Sequence, residues 1–439
     1  FFVGRVTQDL FEGNSYIGFL STIYNDSTET DYVNSIDMLS YLWDNQLVLD
    51  WQILNSQSNH SVDYNGVDGK SGNGLSFEMN YNPSKSSFYS FLDMEYFDKT
   101  LNINDVGYLY RNNLKKIQGG VGLYWPELDL PFPILEGKVN LKFNKMSNLK
   151  NLVLNNSLEF NSTITFDNFW YMGGGFNYIG EHYDDLLLYD YYSEEMNKKD
   201  RLGPHIMIPK GTEINVHAGN NPNQKYTINT NVSIWENDYE DGESQSISFG
   251  VNSHKYVDFN IEYIQSSSEE QYRWIESYDS KYIFASSKNK SQKFIYEINY
   301  NHSRKTSIQL YAEYYTHYNN HGQYYELIDS SYVHIEESNF YFTYKDILEG
   351  LANEELELSP QDHVYHYTKD HIINLNMVLN YEFRPGSNVY VVYSVYRDVV
   401  GKRMNNFSEF LKYTPQSTDL SEVNFTQSLY LKMDYWFDF

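Results

Sequence analysis

Cysteine is absent from this 439-residue chain. Its absence excludes disulfides and thiolate metal sites, and it fits export by a route that avoids thiol chemistry. No apolar run reaches the length of about 18 residues that a membrane-crossing helix needs, so helical spans are excluded. The amino terminus, FFVGRVTQDL, lacks the basic-then-apolar pattern of a signal peptide. An exported protein needs one, so the expectation is a processed or trimmed chain whose native sequence extends upstream of Phe1. Basic residues are few, 32 Lys and Arg against 59 Asp and Glu, for a net charge of -27. That balance excludes nucleic acid and other polyanions as partners.

Aromatic residues are plentiful: 44 Tyr, 26 Phe and 7 Trp, 18% of the chain. Rings with one apolar and one wet edge suit the boundary between hydrocarbon and headgroups. The mean hydropathy of -0.60 is polar for a membrane protein, but a β-barrel turns only alternate residues toward lipid. The closing stretch shows that alternation. Leu429, Leu431, Met433, Tyr435, Phe437 and Phe439 share one face, while Tyr430, Lys432, Asp434, Trp436 and Asp438 share the other. A strand ending on an aromatic residue resembles the assembly signal of outer-membrane barrels, here Tyr435, Phe437 and Phe439. The same period recurs at Ile373, Leu375, Met377, Leu379, Tyr381 and Phe383, and at Ile247, Phe249 and Val251. Many intervening residues are ionisable, which a dry sandwich core would not tolerate unpaired.

Short connections at 82–84, 219–223, 253–255, 303–305 and 384–387 alternate with long ones near 56–70, 99–114, 183–203, 319–370 and 400–423. Short periplasmic turns opposite long outer loops are the barrel habit. The expectation is therefore an all-β fold. It is a single transmembrane antiparallel β-barrel over residues 1–439, of about 20–22 strands. Residues 318–370 form its longest extracellular loop, a candidate cap. Four of the expected strands are 256–265, 270–277, 281–287 and 291–302, and 1–10 is a further one. The location that follows is the bacterial outer membrane. The partners that follow are lipid and lipopolysaccharide, the barrel-assembly machinery, and other envelope proteins or lipoproteins.

Several stretches resemble one family in order along the chain. They include Gly4-Arg5-Val6-Thr7, Val106-Gly107-Tyr108-Leu109-Tyr110-Arg111-Asn112-Asn113, Arg201-Leu202-Gly203-Pro204, Glu382-Phe383-Arg384-Pro385-Gly386-Ser387 and Lys432-Met433-Asp434-Tyr435-Trp436. The family comprises outer-membrane barrels of unknown function, common in Bacteroidota. They usually sit behind a domain resembling carbohydrate-binding-module family nine. That domain is missing from these residues, so its sugar-binding role does not transfer. The resemblance supplies no catalytic or ligand residues.

Motifs for chemistry are sparse. No HExxH and no Gly-x-Ser-x-Gly elbow occurs, and no cofactor is expected. A hydrolase triad assembled from strand ends remains a distant alternative. Glu236, Asp238, Glu240, Asp241 and Glu243 crowd Gly242 at an outer hairpin. They read as a solvated tip or as an oxygen-rich Ca2+ site without EF-hand spacing. Asp184 and Asp185 begin a second acidic stretch. His363, His366 and His371 read as solvated loop histidines, with a metal site as the sharper alternative. Trp170, Tyr171, Trp235 and Trp274 read as girdle anchors or as sugar-stacking rings. Residues 345–351 read as a short helix over the barrel mouth. The functional expectation is an accessory or scaffold component of an envelope complex, linked to glycan handling. The alternative is a channel or transporter for a polar solute, glycan or peptide.

Overall fold

The computed structural model describes residues 2–25, 30–58, 71–84, 87–103, 109–129, 133–185, 205–238, 240–252, 256–278, 281–326, 367–400, 407–413 and 422–436. The chain divides into two compact units. One is built chiefly from Phe1–Ile164 and Gly175–Thr212, the other from Thr165–Gly174, Glu213–Ile328 and Glu336–Phe439. Among the described residues, nineteen strands form one antiparallel sheet and two short strands form another.

The first unit contains β1 (Phe2–Leu10), β2 (Ser15–Asn25), β3 (Thr30–Leu42), β4 (Leu47–Ser58), β5 (Gly72–Tyr81), β6 (Phe88–Phe97), β7 (Leu114–Asp129), β8 (Pro133–Ser147) and most of β9 (Val153–Phe166). Each of β1 to β8 pairs antiparallel with the next in sequence. After β10 (Tyr171–Ile179), which both units share, β11 (His182–Asp184) and β12 (Ile206–Ile208) make the small separate sheet. Parity assigns the faces. Ile53 on β4, Leu75 on β5, Met94 on β6, Val121 on β7 and Leu141 on β8 are exposed and lie on one face. Asp50, Glu78, Asp93, Gln118 and Asn144 lie on the other.

The second unit runs from β13 (Gly211–Gly219) through β14 (Tyr226–Asn237), β15 (Glu240–Asn252), β16 (Val257–Tyr278), β17 (Lys281–Ser303), β18 (Thr306–Glu326), β19 (Tyr367–Arg384) and β20 (Ser387–Val400) to β21 (Glu422–Asp434). From β14 onward each strand again pairs antiparallel with the next. Its apolar face carries Ile228, Phe249, Ile261, Ile298, Leu310, Met377, Val391 and Leu431 as one continuous cross-strand series or its near neighbours. Exposed Leu429, Leu431 and Met433 all fall on the odd face of β21, and Met377, Tyr381 and Phe383 on the odd face of β19. Leaving so many large apolar side chains exposed on one face is stable only against hydrocarbon.

Aromatic residues mark the ends of this apolar band. Tyr263 lies 4.7 Å from Phe294, ring to ring. Its hydroxyl donates to Gln265 Oε1 at 2.7 Å and accepts from Gln292 Nε2 at 3.0 Å. The ring therefore ends the apolar series, and the hydroxyl begins the polar one, Gln265 and Gln292, then Ser267 and Lys290. At the opposite end of the strands, Arg384 donates to the Tyr435 hydroxyl at 2.7 Å. An antiparallel meander with an apolar face, a polar face and aromatic margins is a transmembrane β-barrel, because no unpaired backbone group can remain in lipid.

Two features differ from the sequence expectation. The segments 256–265 and 270–277 form one long strand, β16, and 281–287 joins 291–302 as β17. The polar runs Ser266-Ser267-Ser268 and Ser287-Lys288-Asn289-Lys290-Ser291 separate the apolar stretches, yet they pair with each other. They lie beyond the apolar band, where both faces meet water and alternation has no cause. Residues 1–10 do supply a strand, and among the described residues the main sheet has nineteen strands and the small one two. The segment expected as a helix, 345–351, lies outside the described residues. Among the described residues the α-helix is α1 (Phe407–Lys412).

Candidate functional site

The polar face of the first unit is partly roofed. The connection from β6 to β7 turns back over it, because β5 offers two glycines where a side chain would block the way. A Cβ on Gly72 would stand 2.2 Å from the backbone nitrogen of Leu101, and one on Gly74 would stand 2.8 Å from Leu101 Cδ2. Leu101 is fully buried there, in a cluster with Leu54, Phe97, Leu114 and Leu154. The Asn102 amide donates to Ser56 Oγ at 3.1 Å, and Thr100 Oγ donates to the Ser71 carbonyl at 2.7 Å.

The end of this connection is tied down one residue at a time. The Tyr110 hydroxyl donates to Glu95 Oε2 at 2.8 Å, and burial, reinforced by that carboxylate, pushes its pKa up. Arg111 grips Asp185 with bonds of 2.8 and 2.6 Å, the carboxylate being 2% exposed. Asn112 Nδ2 donates to the Leu101 carbonyl at 3.2 Å. Asn113, at a φ of 53°, accepts the Leu149 amide on Oδ1 at 3.2 Å. Four consecutive side chains thus pin the connection, three to segments outside it and Asn112 back onto its own Leu101.

Beside the roof lies a row of carboxylates. Asp50 is directly opposite Glu78, and Glu78 is directly opposite Asp93. Asp37 is opposite Gln52, one polar-face step from Asp50. Protein cations hold the two ends. Arg5 reaches Asp37 Oδ2 at 2.7 Å, passing over Gly18, whose Cβ would stand 2.9 Å from the same carboxylate. Lys116 reaches Asp93 at 2.9 Å and Glu95 at 3.3 Å.

On β14 and β15 the polar face of the second unit is built from amides and hydroxyls. Asn229, Asn231 and Ser233 stand opposite Ser248, Ser246 and Ser244. Asn229 donates to Ser248 Oγ at 3.2 Å and accepts the Tyr171 hydroxyl at 2.7 Å. Glu262, Glu297 and Glu313 lie on the same face, and Lys293 meets Glu313 at 3.6 Å.

The residues singled out in the sequence are distributed as follows. Glu236 stands opposite Asp241 at the β14–β15 hairpin, Asp238 is in its turn, and Asn237 Oδ1 accepts the Glu240 amide at 3.0 Å. Among the described residues no three His, Cys, Asp or Glu side chains converge as metal ligands. Trp235 lies over Gly242 rather than at a free edge, with the Cβ position of that glycine 2.4 Å from the indole. Trp170 is exposed at the turn before β10, and Tyr171 is a polar-face hydrogen-bond donor. Tyr435 accepts from Arg384; Phe437, Phe439, His363 and His366 lie outside the described residues. His371 corrects an expectation. It is not a solvated loop histidine but is 1% exposed, with Nδ1 2.9 Å from the Tyr314 hydroxyl and its ring stacked 5.6 Å from Phe410. Phe410 of α1 packs on the apolar face, against Val399, Ile373, Tyr314 and Val423.

Neither the roof nor the carboxylate row was found from sequence. The usable signal was parity: Gly72 and Gly74, and each of the four carboxylates, occupy the non-apolar positions of their strands. Register was needed to bring them together.

The family model described as "Domain of unknown function (DUF5916)" matches residues 5–439. No curated relative matches the sequence. Among solved structures, the chain is similar to the siderophore receptor PirA from Acinetobacter baumannii, with 10% identity, 97% of this chain and 74% of that one covered, and a TM-score of 0.43. It is also similar to a mutant of the ferric enterobactin receptor PfeA from Pseudomonas aeruginosa, with 10% identity, 95% and 71% covered, and a TM-score of 0.39. The apolar face and its aromatic margins, independently of those likenesses, place the chain in the bacterial outer membrane.

Proposed function

The chain belongs to the family of the domain of unknown function DUF5916, and we propose that it is a passage through the outer membrane for a polar solute. The observation that carries this reading is the polar face. Asp50, Glu78, Asp93, Lys116, Glu262, Lys293 and Glu313 all lie on the face opposite the apolar one. Ionisable groups in such number need water beside them. A roof held over that face by Leu101 and Arg111 adds a means of narrowing the way. The accessory reading rests on the long outer connections, most of whose residues lie outside the described ones. Assembly is proposed to use Tyr435, Phe437 and Phe439 as the signal for the barrel-assembly machinery, with lipid and lipopolysaccharide around the apolar face.

Single-channel recording in a planar bilayer tests the passage. The expected result is stable unitary conductance from the purified protein. A silent protein, folded by heat-modifiability and co-purifying with envelope proteins in defined amounts, overturns it in favour of the accessory role.

A further inference from the structure

We propose that the polar face of β18, β19 and β20 is a binding floor for a neutral oligosaccharide. The inference names the solute class for the passage proposed above and rests on that reading.

Each asparagine of β19 stands directly opposite a tyrosine on that face. Asn376 faces Tyr311 of β18, while Asn374 and Asn380 face Tyr396 and Tyr390 of β20. Opposed side chains stand about 5 Å apart at Cβ, so ring and amide lie side by side. Two of the rings are laid down along their strands. The Tyr311 hydroxyl donates to Glu313 Oε2, and the Tyr396 hydroxyl donates to Asp398 Oδ2 at 3.0 Å. Each carboxylate is two residues further along the same strand, about 7 Å away. A tyrosine that reaches it leans over the sheet instead of standing up into water, so its carbon surface becomes floor. Tyr396 is 38% exposed there. The third pair is closed, because Lys432 lies over the Tyr390 ring at 5.5 Å and Asn380 Oδ1 is buried.

The amides between the two open rings keep bonding capacity. Asn376 Nδ2 donates to Asn374 Oδ1 at 2.9 Å. Among the described residues no other side-chain hydrogen bond engages either of them. Asn374 Nδ2 is thus left as a donor and Asn376 Oδ1 as an acceptor. The carboxylates, by contrast, are engaged. Glu313 holds Tyr311 and meets Lys293 at 3.6 Å, and Asp398 holds Tyr396 and accepts the Asn424 amide at 3.1 Å. What this floor offers a solute is therefore neutral: ring surface, an amide donor and an amide acceptor.

That set selects the occupant. A sugar ring carries C–H groups on its faces and hydroxyls at its rim, and every hydroxyl both donates and accepts. Its face suits a tyrosine ring, while its rim reaches the neighbouring amide. A charged solute finds the carboxylates of the floor already held. An extended peptide binds by adding to a strand edge, but β18, β19 and β20 are each paired on both sides. Tyr311 and Tyr396 are two strands and two residues apart in register, about 12 Å at the usual spacings. That is the span of a short oligosaccharide rather than of one sugar.

The test uses the full chain folded in a sugar-free zwitterionic detergent. It is titrated calorimetrically with maltohexaose, cellohexaose, laminarihexaose and mannohexaose in turn. Saturable binding of at least one is expected. Tyr396→Ala should weaken it about tenfold, and Asn374→Ala/Asn376→Ala by a similar factor. Tyr396→Phe keeps the ring surface and should stay within about threefold of the parent. Variants are compared as folded, heat-modifiable protein. If Tyr396 serves only to hold Asp398, the Phe and Ala variants weaken binding equally, and that result overturns the proposal. Absence of saturable binding of all four sugars to the parent also overturns it, as does parent-like affinity in Tyr396→Ala. Displacement of the sugar by equimolar acetyl-tetraalanine amide overturns it in favour of a peptide. Binding is read in micelles and conductance in bilayers. A silent protein that still binds refutes the passage and leaves the floor standing; a conducting protein that binds no sugar does the reverse.

Discussion

On β1 to β7 of the first unit the polar face carries charge pairs, and on β14 and β15 of the second it carries mainly amides and hydroxyls. Arg5–Asp37, Lys116–Asp93 and Arg111–Asp185 stitch the first unit across strands and connections, at 2.7, 2.9 and 2.6 Å. The matching positions of β14 and β15 in the second unit hold Asn229, Asn231, Ser233, Ser244, Ser246 and Ser248. The difference has a physical consequence. Charge pairs fail sharply when one partner is lost, because the other is left buried and unpaired. Neutral amide and hydroxyl contacts fail gently, because water replaces them. The first unit should therefore be brittle to single substitutions at these charge pairs, and β14 and β15 of the second tolerant.

The largest effect should bypass that contrast. Deleting Phe439, or changing Phe437 and Phe439 to Ser, should lower the folded protein in the outer membrane several-fold without changing synthesis. Heat-modifiable protein in membrane fractions is the readout, and parent-like accumulation would refute the assembly signal. Trp436→Ser should matter less.

Next comes Arg111→Met. It leaves the Asp185 carboxylate buried without its partner and should cost about 3–5 kcal/mol in urea unfolding. Adding Asp185→Asn should restore part of that loss. Equal losses in single and double variants would show that packing, not charge, holds this connection.

Gly18→Val should cost less, about 1–3 kcal/mol. Its side chain would enter the space where the Asp37 carboxylate meets Arg5. The unfolding midpoint checks this, and Ser246→Val on the second unit is the comparison. A larger loss from Ser246→Val would break the contrast between the two faces.

The smallest effect is expected for Lys288→Ala. Lys288 and Glu269 meet at 2.9 Å, but both side chains are more than half exposed. Such pairs contribute roughly 0–1 kcal/mol, so the unfolding midpoint should barely move.

The sequence by itself determined the fold class and the two faces. The period of two at 373–383 and 429–433 is enforced by the strand, and side-chain parity follows without reference to any partner. It also determined where chain reversals fall, since Arg384-Pro385-Gly386-Ser387 can only turn, Gly386 lying at a φ of 77°. It could not show that Ser266 to Ser268 continue a strand, because outside the membrane neither face is selected for apolarity. Tertiary structure decided everything that depends on register. Gly72 and Leu101 are far apart in sequence, and only the β4–β5–β6 pairing and the returning connection bring them together. The same holds for Asp37, Asp50, Glu78 and Asp93, which no spacing along the chain relates. The burial of His371 is a further case. Its environment comes from Phe410 on α1 and Tyr314 on β18, side chains supplied by distant segments. Local alternation follows from backbone geometry; sites follow from which strands lie side by side, and that is set by pairing across the sheet.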